Sequence, residues 1–265
     1  LFRLVGSEMC IRDRYNQGYP RKGKRVGSNN DRAGGLMGCI LKGGGGLYNR
    51  LTIGAVVLAA GQGSRLGYLP KSLIEVGGIP MIRRQLIALS GAGIDEVVVV
   101  LGHYGDQIRP VIEEFPITIV DLPEKSWSSQ RISVREGVAA LHGKLDAVLV
   151  VPSDMPLLGG QDYIDLISAF KSREDGICMA RPVVSEQPGN PVVFDHSIVD
   201  LGNKSNDPMC RSWWKHHPTE CLAWRTDNSR YVVDLDTPED VAEVEKRLGQ
   251  SLRMPCNSEA RSGVA

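Results

Sequence analysis

From Leu51 onward, the chain alternates short, continuous apolar runs with segments in which apolar residues recur at helical spacing. The helical spacing is clearest at Ile82, Leu86 and Leu89. A continuous run of β-branched residues is typical of a strand buried on both faces, as in a parallel sheet. We therefore predict a three-layer α/β/α, Rossmann-like domain with a mainly parallel sheet. The predicted strands are residues 55–58, 97–101, 117–120, 147–151, 176–180, 191–194 and 231–235.

Helix signals fall between and after these strands. The last of them is the clearest, because Thr237 is a suitable cap, Pro238 fits the first turn, and Glu239 and Asp240 complement the helix dipole. The predicted helices are residues 80–90, 106–115, 128–141, 163–171, 208–217 and 237–248.

The first 50 residues have a different composition, rich in Gly, Arg, Lys and Asn without a hydrophobic period. We expect a disordered, non-native extension over residues 1–50, a folded domain over 51–249 and a flexible tail over 250–265. The sequence EMCIRDR at residues 8–14 is similar to a frame translation of a transposon-end sequencing adapter. Residues 1–14 are therefore expected to be an assembly artefact. The alternative is a basic arm that binds nucleic acid.

The formal net charge is zero, but it is unevenly distributed. Residues 1–50 hold ten Lys or Arg and three Asp or Glu, so the remainder holds 21 basic and 28 acidic residues. A mildly acidic domain without a basic patch is a poor nucleic-acid binder. No apolar run approaches the roughly 18–20 residues of a membrane span, and no signal peptide is evident. The six cysteines form no CxxC pair, which favours a reducing compartment. We expect no nucleic-acid or membrane partner, and a cytoplasmic location.

The segment that follows the first predicted strand has the composition of a phosphate-binding loop. Its small residues let the backbone approach a ligand, and its glycines allow turns that aim several N–H groups at one anion. Arg65 adds a planar donor suited to phosphate oxygens, and Lys71 adds a compact positive charge. Leu66 stands where the dinucleotide fingerprint needs glycine, and there is no Walker Gly-Lys-Ser/Thr. The candidate residues are Leu58, Ala59, Ala60, Gly61, Gly63, Ser64, Arg65 and Lys71.

This loop, LAAGQGSRLG followed by a lysine, resembles the signature of nucleotidyltransferases, in which it wraps the triphosphate of an NTP. The resemblance covers about residues 53–248 and implies a fold of the nucleotide-diphospho-sugar transferase type. More specifically, the chain is similar to molybdenum cofactor cytidylyltransferases of the MobA-like NTP transferase family. The segments that carry this likeness are LAAGQGSRLG, VVVVLGHY, SSQRISVREGVAAL, VLVVPSDMPLL, PGNPVVF, NDPMCRSWWKHHP and VDLDTPED.

Parts of the chain depart from that family. Three residues separate the last glycine of the loop from Lys71, and residues 70–82 resemble sugar-phosphate and phosphocholine nucleotidyltransferases instead. The family's GDxGAR-like helix is degraded here to residues 206–211. The acceptor therefore stays open between molybdopterin and a sugar, choline or glycerol phosphate.

Acidic residues mark two further positions. Asp154 comes after the fourth predicted strand, and Asp234 and Asp236 lie at the end of the last one. From local sequence alone, a helix cap or an ordinary turn explains each as well as a metal ligand does. The resemblance implies that Asp154 and Asp236 bind Mg²⁺, and that Arg65, Lys71 and Asp154 are catalytic.

The acceptor site is predicted from two segments. Ser128, Ser129 and Arg131 lie at a predicted helix N-terminus, where backbone N–H groups favour an anion, and the alternative is that they face the nucleotide. Gly189 and Asn190 match a Gly-His/Asn-Pro-Val segment that lines the acceptor site in the family.

An aromatic and imidazole cluster lies on the helix predicted at 208–217. It consists of Trp213, Trp214, His216 and His217. We expect two of these side chains to pack and two to be exposed, and the alternative is that the cluster stacks on a pterin.

The resemblance implies transfer of CMP from CTP, or of another nucleotide from its NTP, to a phosphorylated small molecule with release of pyrophosphate. Molybdopterin is the favoured acceptor, and a molybdenum hydroxylase is the partner that would receive the product. The alternatives are a cytidylyl- or uridylyltransferase for a sugar, choline or glycerol phosphate, and a non-catalytic nucleotide sensor. A dinucleotide-dependent oxidoreductase is disfavoured, because Leu101, Gly102 and His103 stand where an acidic residue should end the second strand.

Overall fold

The computed structural model describes residues 50–127, 129–199 and 210–255. Predictions that fall on residues 1–49, Ser128, 200–209 and 256–265 lie outside the described residues. They concern the N-terminal extension, one acceptor residue, the start of the helix expected at 208–217 and most of the tail. Within the described part, no helix is long and apolar enough to cross a membrane.

A mixed sheet forms the middle layer of the domain. The described strands are β1 (Ile53–Ala59), β2 (Glu75–Val76), β3 (Ile79–Pro80), β4 (Glu96–Leu101), β5 (Thr118–Asp121), β6 (Ala147–Pro152), β7 (Met179–Val184), β8 (Gln187–Pro188), β9 (Val192–Asp195) and β10 (Cys221–Arg225). The sheet has the order β10-β7-β9-β6-β1-β4-β5, with β8 paired to β7, and β2-β3 is a separate hairpin. Among the described strands of the sheet, β9 and β8 pair antiparallel with their neighbours, and the other pairs are parallel.

Helices cover both faces of the sheet, which confirms the predicted three-layer fold. The described helices are α1 (Met81–Gly91), α2 (Gly105–Ile112), α3 (Gln130–Ala139), α4 (Gly160–Lys171), α5 (Arg211–His216) and α6 (Pro238–Leu248). Alternate strand residues point to opposite faces. Val57 of β1 packs with apolar residues of α1, α2 and α4, whereas Val56 packs with those of α3 and α5. Both valines are fully buried, so the continuous apolar run reflects burial on two sides.

A third apolar cluster joins the hairpin to the C-terminal helix. Ile74 and Val76 are buried with Val244 of α6 and with Leu252. After α6, the chain returns to the hairpin. There, Glu75 and Arg253 exchange backbone hydrogen bonds of 2.9 and 3.1 Å.

The strand predicted at 231–235 is wrong. Ser229–Val232 form a 3₁₀ turn instead, and the side chain of Asn228 accepts a hydrogen bond from the N–H of Arg230 (3.2 Å). The apolar residues there are explained by burial rather than strand pairing, since Tyr231 is fully buried and contacts Trp224. The strand β10 was not predicted, because it lies at the sheet edge with its residues only partly buried.

Candidate active site

The predicted phosphate loop follows β1 and depends on glycine at one position. Gly63 has φ 60° and Gly67 has φ 75°. The carbonyl oxygen of Gly63 accepts hydrogen bonds from the N–H groups of Leu66 (3.0 Å) and Tyr68 (3.1 Å). A Cβ atom on Gly63 would lie 2.2 Å from the carbonyl oxygen of Leu69. Both the left-handed conformation and this close approach require glycine.

Tyr104, which lies just before α2, is hydrogen-bonded to the loop. Its hydroxyl group donates to the carbonyl oxygens of Gln62 (3.2 Å) and Tyr68. The Tyr104 side chain is buried in the apolar core, so these hydrogen bonds tie the loop to the core of the domain.

Lys71 brings the two predicted metal carboxylates together. Its Nζ lies 3.5 Å from Oδ2 of Asp154 and forms a closer ion pair with Oδ1 of Asp236. Nη1 of Arg65 lies 2.5 Å from Oδ2 of Asp236. The Lys71 side chain is 16% exposed and that of Arg65 is 70% exposed. Lys71 is thus enclosed between acids, whereas Arg65 lies at the entrance to the cluster.

The sheet explains why these residues meet. Strands β1 and β6 are parallel neighbours, so the glycine loop and Asp154 both follow the carboxyl end of a strand at the same sheet edge. The backbone N–H of Leu235 donates to the carbonyl oxygen of Asp154 (3.0 Å) and brings the segment of Asp236 to that edge. Asp234 lies nearby but is exposed, and Lys71 and Arg65 pair with Asp236.

The electrostatic environment raises the pKa of Asp154 to about 6. Burial of the carboxyl group is the largest cause, Lys71 opposes it, and Asp234 and Asp236 raise the pKa further. The pKa of Asp234 is also raised, because neighbouring protein atoms partly desolvate this exposed carboxylate and because Asp236 is negatively charged. The carboxylates therefore repel one another, and one lysine only partly compensates for this.

The donor set fits a hard divalent cation. Mg²⁺ is commonly bound by one or two carboxylates together with substrate phosphates, rather than by a complete protein cage. Asp154 and Asp236 supply such a pair, since both carboxylates contact the positive charge of Lys71. In the described part of the chain, no group of three or more His, Cys, Asp or Glu residues is arranged to hold a metal.

A cavity of about 350 Å³ adjoins the loop and the lysine. Seven of the predicted residues line it: Leu58, Ala60, Gly61, Gly63, Ser64, Lys71 and Asp154. Two predicted nucleotide-binding residues are not part of its lining: Ala59, which is buried in the core on the other face of β1, and the exposed Arg65. Sequence reasoning missed Trp127, Gln130 and Ser133, which also line the cavity. Gln130 and Ser133 lie on α3, within the segment SSQRISVREGVAAL, and Trp127 precedes that helix. The sequence did not indicate that these three side chains face the loop, because this depends on how α3 packs on the sheet.

A second cavity of about 510 Å³ shares Gln130 and Pro152 with the first. Two of the predicted acceptor residues, Arg131 and Asn190, line it. Ser129 instead caps α3, with its hydroxyl oxygen accepting from the N–H of Ile132 (3.3 Å). The remaining lining residues are Val134, Val150, Met179, Arg181, Pro188, Val192, Cys210 and Trp214.

Arg181 and Trp214 are further candidates for a functional role in the second cavity. Nothing in the sequence indicated that these two side chains lie together. The guanidinium group of Arg181 donates to the carbonyl oxygen of Gly189 (2.9 Å) and lies 5.7 Å from the centre of the Trp214 ring. Gly189 therefore orients a cation rather than lining the cavity itself. Trp213 is buried and stacks on His217 at 4.1 Å, so the two tryptophans have different roles.

Known proteins resemble this chain in sequence. The sequence profile of the MobA-like NTP transferase domain matches residues 55–220. A bifunctional GlmU protein of Clavibacter sepedonicus is 31% identical over 143 residues, which is 52% of this chain and 29% of the relative. The chain thus spans less than a third of the length of that curated relative.

Two solved structures share the fold. A nucleotidyl transferase from Methanothermobacter thermautotroptrophicus aligns with a TM-score of 0.62 at 20% identity, over 74% of this chain and 97% of its own. Rv0371C of Mycobacterium tuberculosis H37Rv, solved as a complex with manganese, aligns with a TM-score of 0.56 at 19% identity, over 74% and 98%. The match to most of the described domain shows that the chain belongs to the MobA-like NTP transferase domain family, a family of nucleotidyltransferases.

Proposed function

We propose that this protein transfers CMP from CTP to a phosphorylated acceptor, with molybdopterin as the favoured acceptor, and releases pyrophosphate. The observation that carries the proposal is the cluster of Lys71, Asp154 and Asp236 beside the glycine loop. A phosphate-binding loop, a pair of carboxylates and an enclosed lysine are the parts that nucleotidyl transfer needs at one place. The scattered cysteines support a cytoplasmic reaction, and a molybdenum hydroxylase would be the partner that receives the product.

On the nucleotide side, the chain supplies charge and orientation. The glycine loop can donate N–H groups to phosphate oxygens, and the exposed Arg65 can exchange its carboxylate partner, Asp236, for a phosphate. Negative charge builds on the α-phosphate and on pyrophosphate as the bond between them breaks. Lys71 is enclosed and stabilises that charge from a fixed position, where such a group is most effective. The exposed Arg65 adds a second positive charge.

The attacking group needs no base from the protein. The acceptor phosphate is ionised at neutral pH, so its oxygen can attack the α-phosphorus in line as pyrophosphate leaves. A divalent cation held by Asp154 and Asp236 would neutralise phosphate charge when bound. The manganese in Rv0371C supports a divalent ion in this fold, and we propose Mg²⁺ for this chain.

The lining of the second cavity supports an anionic acceptor with an apolar or planar body. Arg131 and Arg181 contribute positive charge, and no carboxylate is found among the described lining residues. A choline group would face two cations there. A sugar would find Gln130 and Asn190 as amide partners, against a lining that is otherwise mostly apolar. A planar heterocycle with a phosphate fits this lining better, with Trp214 as an aromatic wall.

The proposal is tested by pyrophosphate release from the full chain with Mg²⁺. CTP, GTP and UTP are each paired with molybdopterin, with its molybdenum-loaded form, and with a panel of sugar, choline and glycerol phosphates. We expect release with CTP and a pterin. Release with a sugar or choline phosphate instead would show that residues 70–82 were the better guide to the acceptor.

A Lys71→Ala variant is the matched control for contaminating activity, and it should release little pyrophosphate with any pair. Binding of CTP without release from any pair would replace the enzyme proposal with the nucleotide sensor.

A further inference from the structure

Asp162 has contacts that a helix cap does not require. It lies in the first turn of α4 and its side chain is 1% exposed. Oδ2 accepts a hydrogen bond from the N–H of Gly159 (2.8 Å), which is an ordinary role at a helix N-terminus. Oδ1 instead accepts from Nδ2 of Asn228 and from Nη2 of Arg230, both at 2.7 Å. A carboxylate this deeply buried is stable only with such partners.

These contacts fasten the 3₁₀ turn at Ser229–Val232 to α4. The hydroxyl group of Tyr231 adds a third link, because it donates to the backbone carbonyl oxygen of Asp162 (2.6 Å). Tyr231 is fully buried. The turn is therefore held by one acidic residue that is distant from it in sequence.

The opposite side of the same turn supports the second cavity. The carbonyl oxygen of Tyr231 accepts the N–H of Asn190 (2.8 Å). A Cβ atom on Gly189 would lie 2.5 Å from that oxygen, so the two segments are in close backbone contact. Asn190 lines the second cavity, and the carbonyl oxygen of Gly189 accepts from Arg181.

The nucleotide side has its own supports. Leu235 is bonded to the carbonyl oxygen of Asp154 (3.0 Å), and the N–H of Asp236 donates to Oδ2 of Asp240 (3.0 Å). Neither bond involves Asp162. Loosening the turn should therefore disturb the acceptor side more than the carboxylate pair.

From these contacts we propose that Asp162 is a positioning residue, which holds Asn190 and Gly189 in place for the acceptor through the turn at Ser229–Val232. The proposal rests on the transfer reaction proposed above. Asp162 does not line either cavity, so it acts through the residues that it holds.

The test is Asp162→Asn in the full chain. The amide keeps the size of the side chain, but its NH₂ group cannot accept the hydrogen bonds that the lost oxygen accepted. We expect the KM for the acceptor to rise about tenfold, because the turn at Ser229–Val232 is held less firmly and Asn190 is placed less accurately for the acceptor. The dissociation constant of the NTP, titrated without acceptor, should stay close to that of the parent.

Two further variants keep the test decisive. Arg230 is 49% exposed, so Arg230→Ala should fold and raise the acceptor KM in the same direction by less. Ile112→Val, in the buried core of α2, should lower the Tm without changing the acceptor KM. If Asp162→Asn and Arg230→Ala lower only the Tm, Asp162 is a structural cap and the proposal is overturned.

Hydrogen exchange at the Asn190 amide tests the positioning role of Asp162 separately from the proposed transfer reaction. Its exchange should be faster in Asp162→Asn and Arg230→Ala, and unchanged in Ile112→Val. Absence of turnover in the parent with every substrate pair would refute the proposed function, but exchange would still report on the positioning. Unchanged exchange in both variants would refute the positioning role alone.

Discussion

Leu235 donates its backbone N–H to the carbonyl oxygen of Asp154 (3.0 Å), although the two residues come from distant parts of the sequence. This bond places the segment of Asp236 beside the end of β6. Lys71 then contacts both carboxylates. The family match ends at residue 220, so the second carboxylate reaches the site through tertiary packing beyond the matched segment.

Replacement of Lys71 by alanine should lower turnover by about 10²–10³-fold, since a fixed charge at the transition state is lost. Steady-state kinetics measures this effect. Without metal, the variant should also have a lower Tm, because Asp154 and Asp236 lose the cation between them. The exposed Lys246, on α6, provides the matched control Lys246→Ala. Parent-like turnover in Lys71→Ala would remove this lysine from the mechanism.

Replacement of Asp154 by asparagine should make the metal-free protein more stable above pH 6. The folded state raises the pKa of this carboxyl from 3.8 to about 6, so the folded state binds the proton more tightly than the unfolded state. The free energy of unfolding of the parent therefore falls as the pH rises from about 4 to above 6. The shift corresponds to at most about 3 kcal/mol.

Thermal unfolding in a chelator at pH 4 and pH 8 measures this difference. The variant should gain stability over the parent at pH 8 and little at pH 4. Added Mg²⁺ should stabilise the parent at pH 8 more than the variant. A variant that is less stable than the parent at pH 8 in chelator would contradict the argument.

Replacement of Arg65 by alanine should weaken NTP binding without affecting folding. The side chain is 70% exposed, and its pairing with Asp236 is of the kind that contributes about 0–1 kcal/mol. Loss of a guanidinium–phosphate contact should raise the KM for the NTP about tenfold. Arg247→Ala, which removes a surface pair with Glu243, is the control. An unchanged NTP KM would leave Arg65 as a surface residue only.

Replacement of Gly63 by alanine should destabilise the loop. The residue has φ 60°, and its Cβ would lie 2.2 Å from a backbone oxygen, so the loop must change shape. Gly61→Ala is the matched control, because a Cβ there meets nothing within 4 Å. Both substitutions place a methyl group near the first cavity, but only Gly63→Ala should lower the Tm. Equal Tm values for the two variants would show that the backbone at Gly63 does not require glycine.

Replacement of Arg181 by lysine should affect the acceptor alone. Lysine keeps the positive charge but loses the planar fork that donates to Gly189 and lies near Trp214. We expect a higher KM for the acceptor and an unchanged dissociation constant for the NTP. Initial rates at saturating NTP measure the first quantity. A change confined to the NTP would assign Arg181 to the other cavity.

The sequence predicts those parts of the fold that depend on residues close together in the chain. Continuous apolar runs predict β1, β4 and β6, and the glycine pattern predicts a turn of the kind seen at Gly63. Parallel strands then place Asp154 beside the loop, because their carboxyl ends share one edge. Thr237 caps α6 as its residue type predicts.

Other parts depend on contacts that no local pattern encodes. Asp162 immediately precedes the helix predicted at 163–171, and nothing in the sequence indicates its bonds to Asn228 and Arg230. The run at 231–235 looks like a strand because burial and strand pairing favour the same residue types. Arg181 and Trp214 meet only after β7 and α5 have packed on the sheet.

The pairing of Glu75 with Arg253 limits how far the C-terminal end of the chain can be truncated without disturbing the site. Lys71 leads directly into Ile74 and β2, and Leu252 is buried in the same apolar cluster as Ile74 and Val76. Cutting the chain after Gly249 would uncover this apolar surface and release the strand that follows Lys71. The smallest unit that keeps the lysine in place therefore extends through Arg253.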